Sequence, residues 1–314
     1  MPLDPIAAQL LESMAKAMPP IETMTPTEGR AASAALSKLL PTTTPRSTVA
    51  EQTLPAAGGE IRVRTYRPQT DGTLPVFMYI HGGGWVIGGE IEMFDPLCDE
   101  IACGANCVVV SVGYRLAPEH SFPAPLDDCT RVARWIHDNA SLLDIDTSRV
   151  AVGGDSSGGN LAAALALSNR DTGGPEFCLQ LLVYPPTNHV ANAAEYATGL
   201  DVPVLSGQGM AWYWQHYAGD ADPDDPYLSP LRAADLEGLP PAYIITAEFD
   251  VLRAEVDAYA ARLREASVPV VARHFDGMFH GFFGFGSFLP QAGEAVGEAI
   301  VALRNAFLSA TSSK

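Results

Sequence analysis

A serine enclosed by glycines is the first feature of the sequence that could do chemistry. Residues 150–160 read VAVGGDSSGGN, a short apolar run followed by two serines between pairs of glycines. A nucleophile on a sharp strand-to-helix turn needs glycine two positions before and after it, because side chains there would collide with the strand and the helix. Only Ser156 meets this condition, with Gly154 and Gly158. The spacing predicts Ser156 as the nucleophile and gives Ser157, at the start of the helix, a free backbone N–H.

The same stretch does not fit a nucleotide-binding loop. A Walker-type phosphate loop needs a lysine before its serine or threonine, and a dinucleotide fingerprint needs G-x-G-x-x-G after the first strand. GGDSSGG has neither pattern, and it follows at least three predicted strands. Acyl-transfer chemistry is therefore favoured over phosphate binding.

A second glycine cluster, HGGGW at 81–85, directly follows the predicted strand PVFMYI. Consecutive glycines let backbone N–H groups approach a substrate oxygen without hindrance from side chains. We predict that the amides of Gly83 and Gly84, together with that of Ser157, form an oxyanion hole. Gly82 is a weaker candidate for the same role.

The general base must be a histidine near the sheet edge that carries the nucleophile. His274 lies in VPVVARHFDG, a last strand predicted beyond 242–250, whereas His280 lies just after that strand in the glycine- and aromatic-rich GMFHGFFGFG. We therefore favour His280 as the base and assign His81 a structural role in its loop. Asp250 ends the strand YIITAEFD at the same edge and is the predicted orienting acid, with Glu248 as the alternative.

Aromatic residues surround the predicted site in sequence. Trp85 follows the oxyanion glycines, and Trp212 and Tyr213 belong to the segment GMAWYWQHYAGD. We predict that these three residues narrow an acyl pocket. For the four aromatic residues of this segment, Trp212, Tyr213, Trp214 and Tyr217, packing between helix and sheet is the competing interpretation and the one that such a segment more often has.

Short apolar runs alternate with helical segments along most of the chain, which is typical of an α/β domain with a mostly parallel sheet. The predicted strands are 60–68, 75–81, 106–114, 149–154, 179–185 and 242–250, and the predicted helices are 94–104, 125–140, 159–170 and 254–266.

Residues 1–50 and 187–225 lack this alternation of strands and helices. Both segments are predicted to form a helical cap over one edge of the sheet. The expected organisation is an N-terminal helical cap segment over 1–50, a first part of the catalytic core over 51–186, a cap insertion over 187–225 and a second part of the core over 226–314.

Bulk composition restricts the partners. The 314 residues carry a formal charge of −18, which repels nucleic acid and anionic lipid. Five cysteines without zinc-type spacing indicate free thiols. The N-terminus lacks a basic signal region, and no apolar stretch approaches the roughly 18 residues that span a bilayer. We expect no membrane partner, no metal and a cytoplasmic location.

Together these motifs resemble the hormone-sensitive-lipase-like family of α/β-hydrolases, the bacterial carboxylesterases with HGGG and GDSAG-type motifs. The resemblance covers roughly residues 75 to 285. It is carried, in the expected order, by HGGGW, YRLAPEHSFPAPLDD, GDSSGGN, DPDDPYLSPL, LPPAYIITAEFDVLRAE and FHGF.

The resemblance implies an α/β-hydrolase fold with a helical cap and a serine esterase of short- to medium-chain acyl esters that needs no cofactor. It places the triad at Ser156, Asp250 and His280, and a homodimer is common in the family. Two departures are that Val251 stands where the family usually has proline and that Ser157 replaces the commoner alanine.

Two other functions remain open. An amidase or peptidase would use the same triad, and a ligand receptor could use the same fold without catalysis. Such receptors in this family have lost the catalytic histidine, whereas His280 is present here. A small-molecule ester is the favoured substrate.

Overall fold

A computed structural model describes residues 2–38, 44–190, 192–196 and 204–312. Its central feature is an eight-stranded sheet with the order β1-β2-β4-β3-β5-β6-β7-β8. The strands are β1 Thr48–Ala56, β2 Gly59–Arg67, β3 Leu74–Ile80, β4 Val108–Gly113, β5 Ile145–Asp155, β6 Leu179–Val183, β7 Ala242–Phe249 and β8 Val270–Phe279. The pairs β1–β2 and β2–β4 are antiparallel and all other pairs are parallel. The predicted α/β fold is confirmed.

Helices cover both faces of the sheet, because the inner strands are apolar on both sides. Along β3, Val76 and Met78 join one buried cluster with α4, α6 and α8, whereas Phe77 and Tyr79 join a second with α3 and α9. The helices are α1 Pro5–Ala17, α2 Pro26–Ser37, α3 Asp95–Ala105, α4 Ala124–Asp138, α5 Ala140–Leu143, α6 Ser157–Thr172, α7 Gly207–Ala218, α8 Arg253–Glu265 and α9 Pro290–Ser312. No helix in the described ranges is long and apolar enough to cross a lipid bilayer.

One strand was not expected from the sequence. β1 spans Thr48–Ala56, so the predicted boundary between residues 50 and 51 falls inside a strand. Of its nine residues only Leu54 is buried, because β1 is the outermost strand of the sheet. An edge strand with one buried side chain produces no apolar run, which explains why the pattern did not reveal it.

Helices α1 and α2, before β1, and helix α7, after β6, belong to segments that contribute no strand to the sheet. Asp4 caps α1 through its side chain, and Thr25 and Glu28 form a reciprocal capping box at the start of α2. The segment 187–225 contains α7 and a 3₁₀ turn at Ala193–Glu195, while residues 191 and 197–203 lie outside the described residues.

The loop between β4 and α4 is fixed by a buried ion pair. The guanidinium of Arg115 donates to both carboxylate oxygens of Asp128, with a shortest nitrogen–oxygen distance of 2.7 Å, and Arg115 N–H adds a further bond of 2.9 Å. The two side chains are only 9 % and 1 % exposed. Removing either partner would therefore leave an uncompensated charge inside the protein.

We expect Arg115→Met to lower the free energy of unfolding by about 3–5 kcal/mol, because Asp128 would stay buried without its partner. The matched control is Arg149→Met, which breaks a partly exposed pair with Asp146 and should cost about 1 kcal/mol or less. Urea unfolding of both variants measures the difference. Equal losses would show that the Arg115 pair is not a buried constraint.

Candidate active site

The nucleophile candidate sits in a strained conformation between β5 and α6. β5 ends at Asp155 and α6 begins at Ser157, so Ser156 alone forms the turn. Its φ of 52° and ψ of −123° lie outside the regions that L-residues readily adopt. The N–H of Ser156 donates to the carbonyl of Val183 at 2.8 Å, which ties the turn to the neighbouring strand β6.

The flanking glycines allow this turn to approach β3. A Cβ on Gly154 would overlap the carbonyl oxygen of Ile80, and a Cβ on Gly158 would overlap both that oxygen and the carbonyl of His81. These are backbone atoms of a fully buried strand end and cannot move aside. The glycine requirement predicted from the sequence therefore has a concrete steric cause.

The structure brings the three predicted triad residues together. His280 Nε2 lies 2.9 Å from Ser156 Oγ, and His280 Nδ1 lies 2.8 Å from Asp250 Oδ2. The Asp250 carboxylate is an acceptor, so Nδ1 carries the proton and Nε2 can accept from the serine hydroxyl. Asp250 and His280 are 1 % and 5 % exposed. Each of the three directly follows the carboxyl end of a parallel strand. The carboxyl ends of parallel strands lie at the same edge of the sheet, so the three side chains lie close together.

The carboxylate of Asp250 is itself held in place. Its second oxygen, Oδ1, accepts from the N–H of Leu252 at 2.9 Å, which forms a side-chain-to-backbone turn. Val251 therefore replaces the family's usual proline without loss of the turn that orients the carboxylate.

The alternative base and acid lie elsewhere. His274 is inside β8, where it contacts Thr246 Oγ1 and Asp276. The Glu248 carboxylate accepts from the N–H of Gly277 at 2.7 Å. Neither side chain borders the cavity that contains Ser156 and His280.

Two of the three HGGGW glycines face that cavity. Gly83 and Gly84 line it and have φ values of 121° and 57°, which only glycine adopts readily. Gly82 does not line the cavity, and a Cβ there would overlap the Asp155 carboxylate. Ser157, the first residue of α6, also lines the cavity, and its N–H is one that a helix leaves without an internal acceptor. Three amides are thus available around the serine.

The hydroxyl of Ser157 has a neighbour of its own. Ser157 Oγ lies 3.4 Å from the Tyr114 hydroxyl, which donates to the His81 carbonyl at 3.0 Å. The extra hydroxyl, relative to the alanine usual in the family, therefore enters a polar contact behind the oxyanion loop.

His81 packs beneath the HGGGW loop, which is predicted to form the oxyanion hole. It is fully buried, with its ring stacked on Tyr114 at 4.3 Å and on Phe94 at 5.2 Å. Nδ1 donates to the Gly82 carbonyl at 2.7 Å, so Nε2 is the unprotonated nitrogen, and it has no partner among the described residues. Burial lowers the pKa of His81 to about 4, because a second proton would place an unpaired charge in the core.

The cavity above Ser156 has a volume of about 230 Å³ and is walled mostly by residues outside the sheet. Met14 comes from α1, Met18 directly follows the end of α1, Leu36 comes from α2 and Met210 from α7. These lining residues were not predicted from the sequence. Met14 and Met18 lie four residues apart in a segment predicted to be helical, but this spacing does not distinguish a cavity wall from a packed core.

The predicted aromatic lining is partly wrong. Tyr213 lines the cavity, and its ring covers Gly84 so closely that a Cβ there would overlap it. Trp85 borders the cavity, but its ring is fully buried and stacks on Tyr217 at 4.2 Å, beside Trp214 at 4.4 Å. Trp212 does not reach the cavity and lines a separate surface depression, because adjacent helical residues point about 100° apart.

The described residues offer no metal site: within them, no three His, Cys, Asp or Glu side chains are grouped so that they could hold an ion. All five cysteines carry free thiols, as the sequence indicated.

The pKa of His81 predicts acid-sensitive folding. Since the folded pKa lies near 4 and the ordinary value is 6.5, the unfolded chain takes up a proton first as the pH falls. Stability should therefore be lost progressively between pH 6.5 and pH 4, by up to about 3 kcal/mol from this residue. Urea unfolding at several pH values should give a shallower pH dependence for His81→Gln. The control is His120→Gln, at a partly exposed loop histidine, and a slope equal to wild type in both variants would contradict the assignment.

Comparison with known proteins agrees with this geometry. A family model described as alpha/beta hydrolase fold matches residues 77–284. Carboxylesterase NlhH of Mycobacterium tuberculosis is 39% identical over 313 residues, covering 97% of this chain and 96% of that protein. Esterase LipI of the same organism is 38% identical over 265 residues, covering 83% and 82%.

A solved structure shows the same likeness in three dimensions. The hyperthermophilic esterase from Pyrobaculum calidifontis superposes with a TM-score of 0.88 at 38% identity, over 97% of this chain and 99% of that one. Fold, motif order and relatives agree, and the chain therefore belongs to the hormone-sensitive-lipase-like family of α/β-hydrolases.

Proposed function

We propose that this chain, a serine carboxylesterase by family, hydrolyses short- to medium-chain acyl esters with Ser156 as nucleophile, His280 as general base and Asp250 as orienting acid. The observation that carries the proposal is the continuous hydrogen-bonded chain from Asp250 through His280 to the strained Ser156. Ser156 Oγ and His280 Nε2 are in direct contact at 2.9 Å, which leaves no room between them for a water molecule. This contact supports the serine hydroxyl, rather than a water molecule, as the group that His280 activates.

The chemistry runs in two halves. His280 Nε2 takes the hydroxyl proton as Ser156 Oγ attacks the ester carbonyl carbon, and the carbonyl electron pair moves to oxygen. The tetrahedral intermediate collapses, the alcohol leaves with the proton from His280, and an acyl-enzyme remains. Water then attacks the acyl-enzyme with His280 again as base, which releases the acid and restores the serine. Asp250 keeps the proton on Nδ1 and stabilises the imidazolium throughout.

The oxyanion is proposed to bind the amides of Gly83, Gly84 and Ser157. Backbone donors in fixed positions stabilise developing charge without reorganisation, and each is worth on the order of 10²–10³ in rate. The tight packing behind them, from His81 and Tyr213, supports this role because it leaves the loop little freedom to collapse.

Ser156→Ala should lower kcat for a short-chain p-nitrophenyl ester by at least about 10⁴-fold, because acyl-enzyme formation is lost. The fold should persist, as judged by circular dichroism, since alanine is smaller than serine at this turn. Ser168→Ala, on the same helix α6, is the matched control and should keep wild-type turnover. A folded, active Ser156→Ala variant would refute the assignment.

The acyl group is proposed to enter the methionine-lined cavity above Ser156. Each methylene that it buries contributes about 0.8 kcal/mol, or roughly fourfold in kcat/KM, until the cavity is full. With p-nitrophenyl esters of rising chain length, kcat/KM should rise through short chains and fall beyond medium ones. A steady rise towards long-chain emulsions would contradict a closed acyl cavity.

Two other functions are less well supported. A receptor without catalysis has no need for a histidine in direct contact with the serine, and His280 is in that position. An amidase would share the triad, and kcat/KM for a matched ester and amide separates the two activities. No observation on the described residues favours an amine-binding pocket over an alcohol-binding one.

The cysteine thiols bear on the cellular location of the enzyme, and the exposed apolar residues bear on its oligomeric state. We infer a reducing, cytoplasmic location from the five free thiols.

A homodimer stays a prediction from the family resemblance. The outer strand β8 and helix α9 carry the exposed Val271 and Val301, which suits contact with a second copy, and the mass of the particle in solution tests it.

A further inference from the structure

A second cavity, of about 390 Å³, adjoins the one above Ser156. It lies between the 3₁₀ turn Ile91–Phe94 with the start of α3 on one side, and the residues that follow His280 on the other. The residues that line both cavities are Ser37, Met93, Asp155, Gly281 and Phe285. Among the residues that the structure describes, these five form the boundary that the two cavities share.

Three phenylalanines, Phe94, Phe285 and Phe288, are among the residues that line the second cavity. Phe94 is fixed by contacts with Tyr79 at 5.9 Å and with His81 at 5.2 Å between ring centroids. Phe285 and Phe288 form an edge-to-face pair at 6.4 Å on the opposite wall. Phe288 is 42% exposed, so its ring borders both the cavity and the solvent. The three rings give opposite sides of the cavity an aromatic surface that suits contact with another ring.

The acidic residues of this cavity do not make it a cation site. Glu92 pairs with Arg62, and Asp95 pairs with Arg64 at 2.7 Å. The Asp155 carboxylate accepts from the Tyr79 hydroxyl at 2.6 Å, and burial raises its pKa. Each carboxylate therefore has a partner within the protein. The rest of the lining is uncharged and consists of four aromatic residues, three other apolar residues, two serines and two glycines.

The reaction decides which part of an ester enters this cavity. His280 must protonate the departing alkoxide, so the alcohol leaves on the side of His280. The wall of the second cavity continues directly from that residue through Gly281, Gly284 and Phe285. Ser156 and His280 both line the methionine-lined cavity, which takes the acyl group under the proposed function. Gly281 and Phe285 line both cavities, so the second cavity is the adjoining space left for the alcohol. The alcohol part is thus directed into the aromatic cavity.

We propose that the cavity between Phe94 and Phe288 is the alcohol-side subsite and that it selects esters of aromatic alcohols. This inference rests on the proposed function, since it assigns the leaving group of the same reaction. Ring-to-ring contacts favour an aryl group over a saturated ring of equal size.

The test compares benzyl acetate with cyclohexylmethyl acetate. Both have the same acyl group and a seven-carbon primary alcohol, so they differ mainly in the aromatic ring. Wild type should show about a three- to tenfold higher kcat/KM for benzyl acetate, the size expected for one or a few aromatic contacts. Phe288→Ala and Phe288→Leu should both bring this ratio close to one, because each removes the ring and the second keeps an apolar side chain. Leu142→Ala, at an exposed leucine on α5, is the control and should keep the wild-type ratio.

Several outcomes would overturn the inference. A wild-type ratio near one excludes aromatic selection, and an unchanged ratio in both Phe288 variants excludes this cavity as its source. A ratio lost in Met18→Ala instead would place the aryl group in the methionine-lined cavity. Turnover of p-nitrophenyl acetate without turnover of either test ester would also reject it while leaving the esterase intact. Failure of the proposed function itself would appear separately, as activity that survives Ser156→Ala.

Discussion

The close approach of the nucleophile turn to the end of β3 is the constraint on which the rest of the site depends. Gly154 and Gly158 let the turn pass the carbonyls of Ile80 and His81 without a side chain between them. This proximity places the oxyanion loop, which begins at His81, beside the first amide of α6. Ser156 and the amides of the HGGGW loop, the proposed nucleophile and oxyanion donors, are therefore positioned by one backbone contact between neighbouring parallel strands. The strained φ of Ser156, which costs of order 1–3 kcal/mol, is sustained by that packing.

Aromatic stacking extends this constraint in two directions from the oxyanion loop. His81, between Phe94 and Tyr114, anchors the loop to the sheet side. Trp85, at the other end of HGGGW, stacks on Tyr217 and so anchors the loop to α7. The loop is thus held at both ends by buried rings, and its glycines stay free to present amides. Trp85 acts here as a structural residue, which is why its proximity to the glycines in sequence overstated its contact with substrate.

The site residues that could be predicted from the sequence are those fixed by residue type and local spacing. The features that could not be predicted depend on how distant elements pack against one another. The serine, its glycines and the choice of His280 over His274 follow from residue types at fixed spacing or at a strand end. The edge strand β1 left no apolar pattern, because a strand with one neighbour buries little. Trp212 and Tyr213 are adjacent in sequence, yet only Tyr213 faces the site. Which side of α7 faces the sheet is decided by packing across the molecule, and the segment's composition carries no information about it.

The two cavities differ in the side chains that line them, and this difference suits them to different halves of an ester substrate. One is walled by methionines from helices outside the sheet, and unbranched, polarisable side chains of this kind adapt to ligands of different shape. The other is walled by phenylalanines that stack on each other or on the buried rings behind the oxyanion loop. A site with an adaptable wall for one half of the ester and an aromatic wall for the other would tolerate variation in the first half and discriminate in the second. Since the aromatic wall continues from His280, the proposed discrimination falls on the alcohol that His280 would protonate as it leaves.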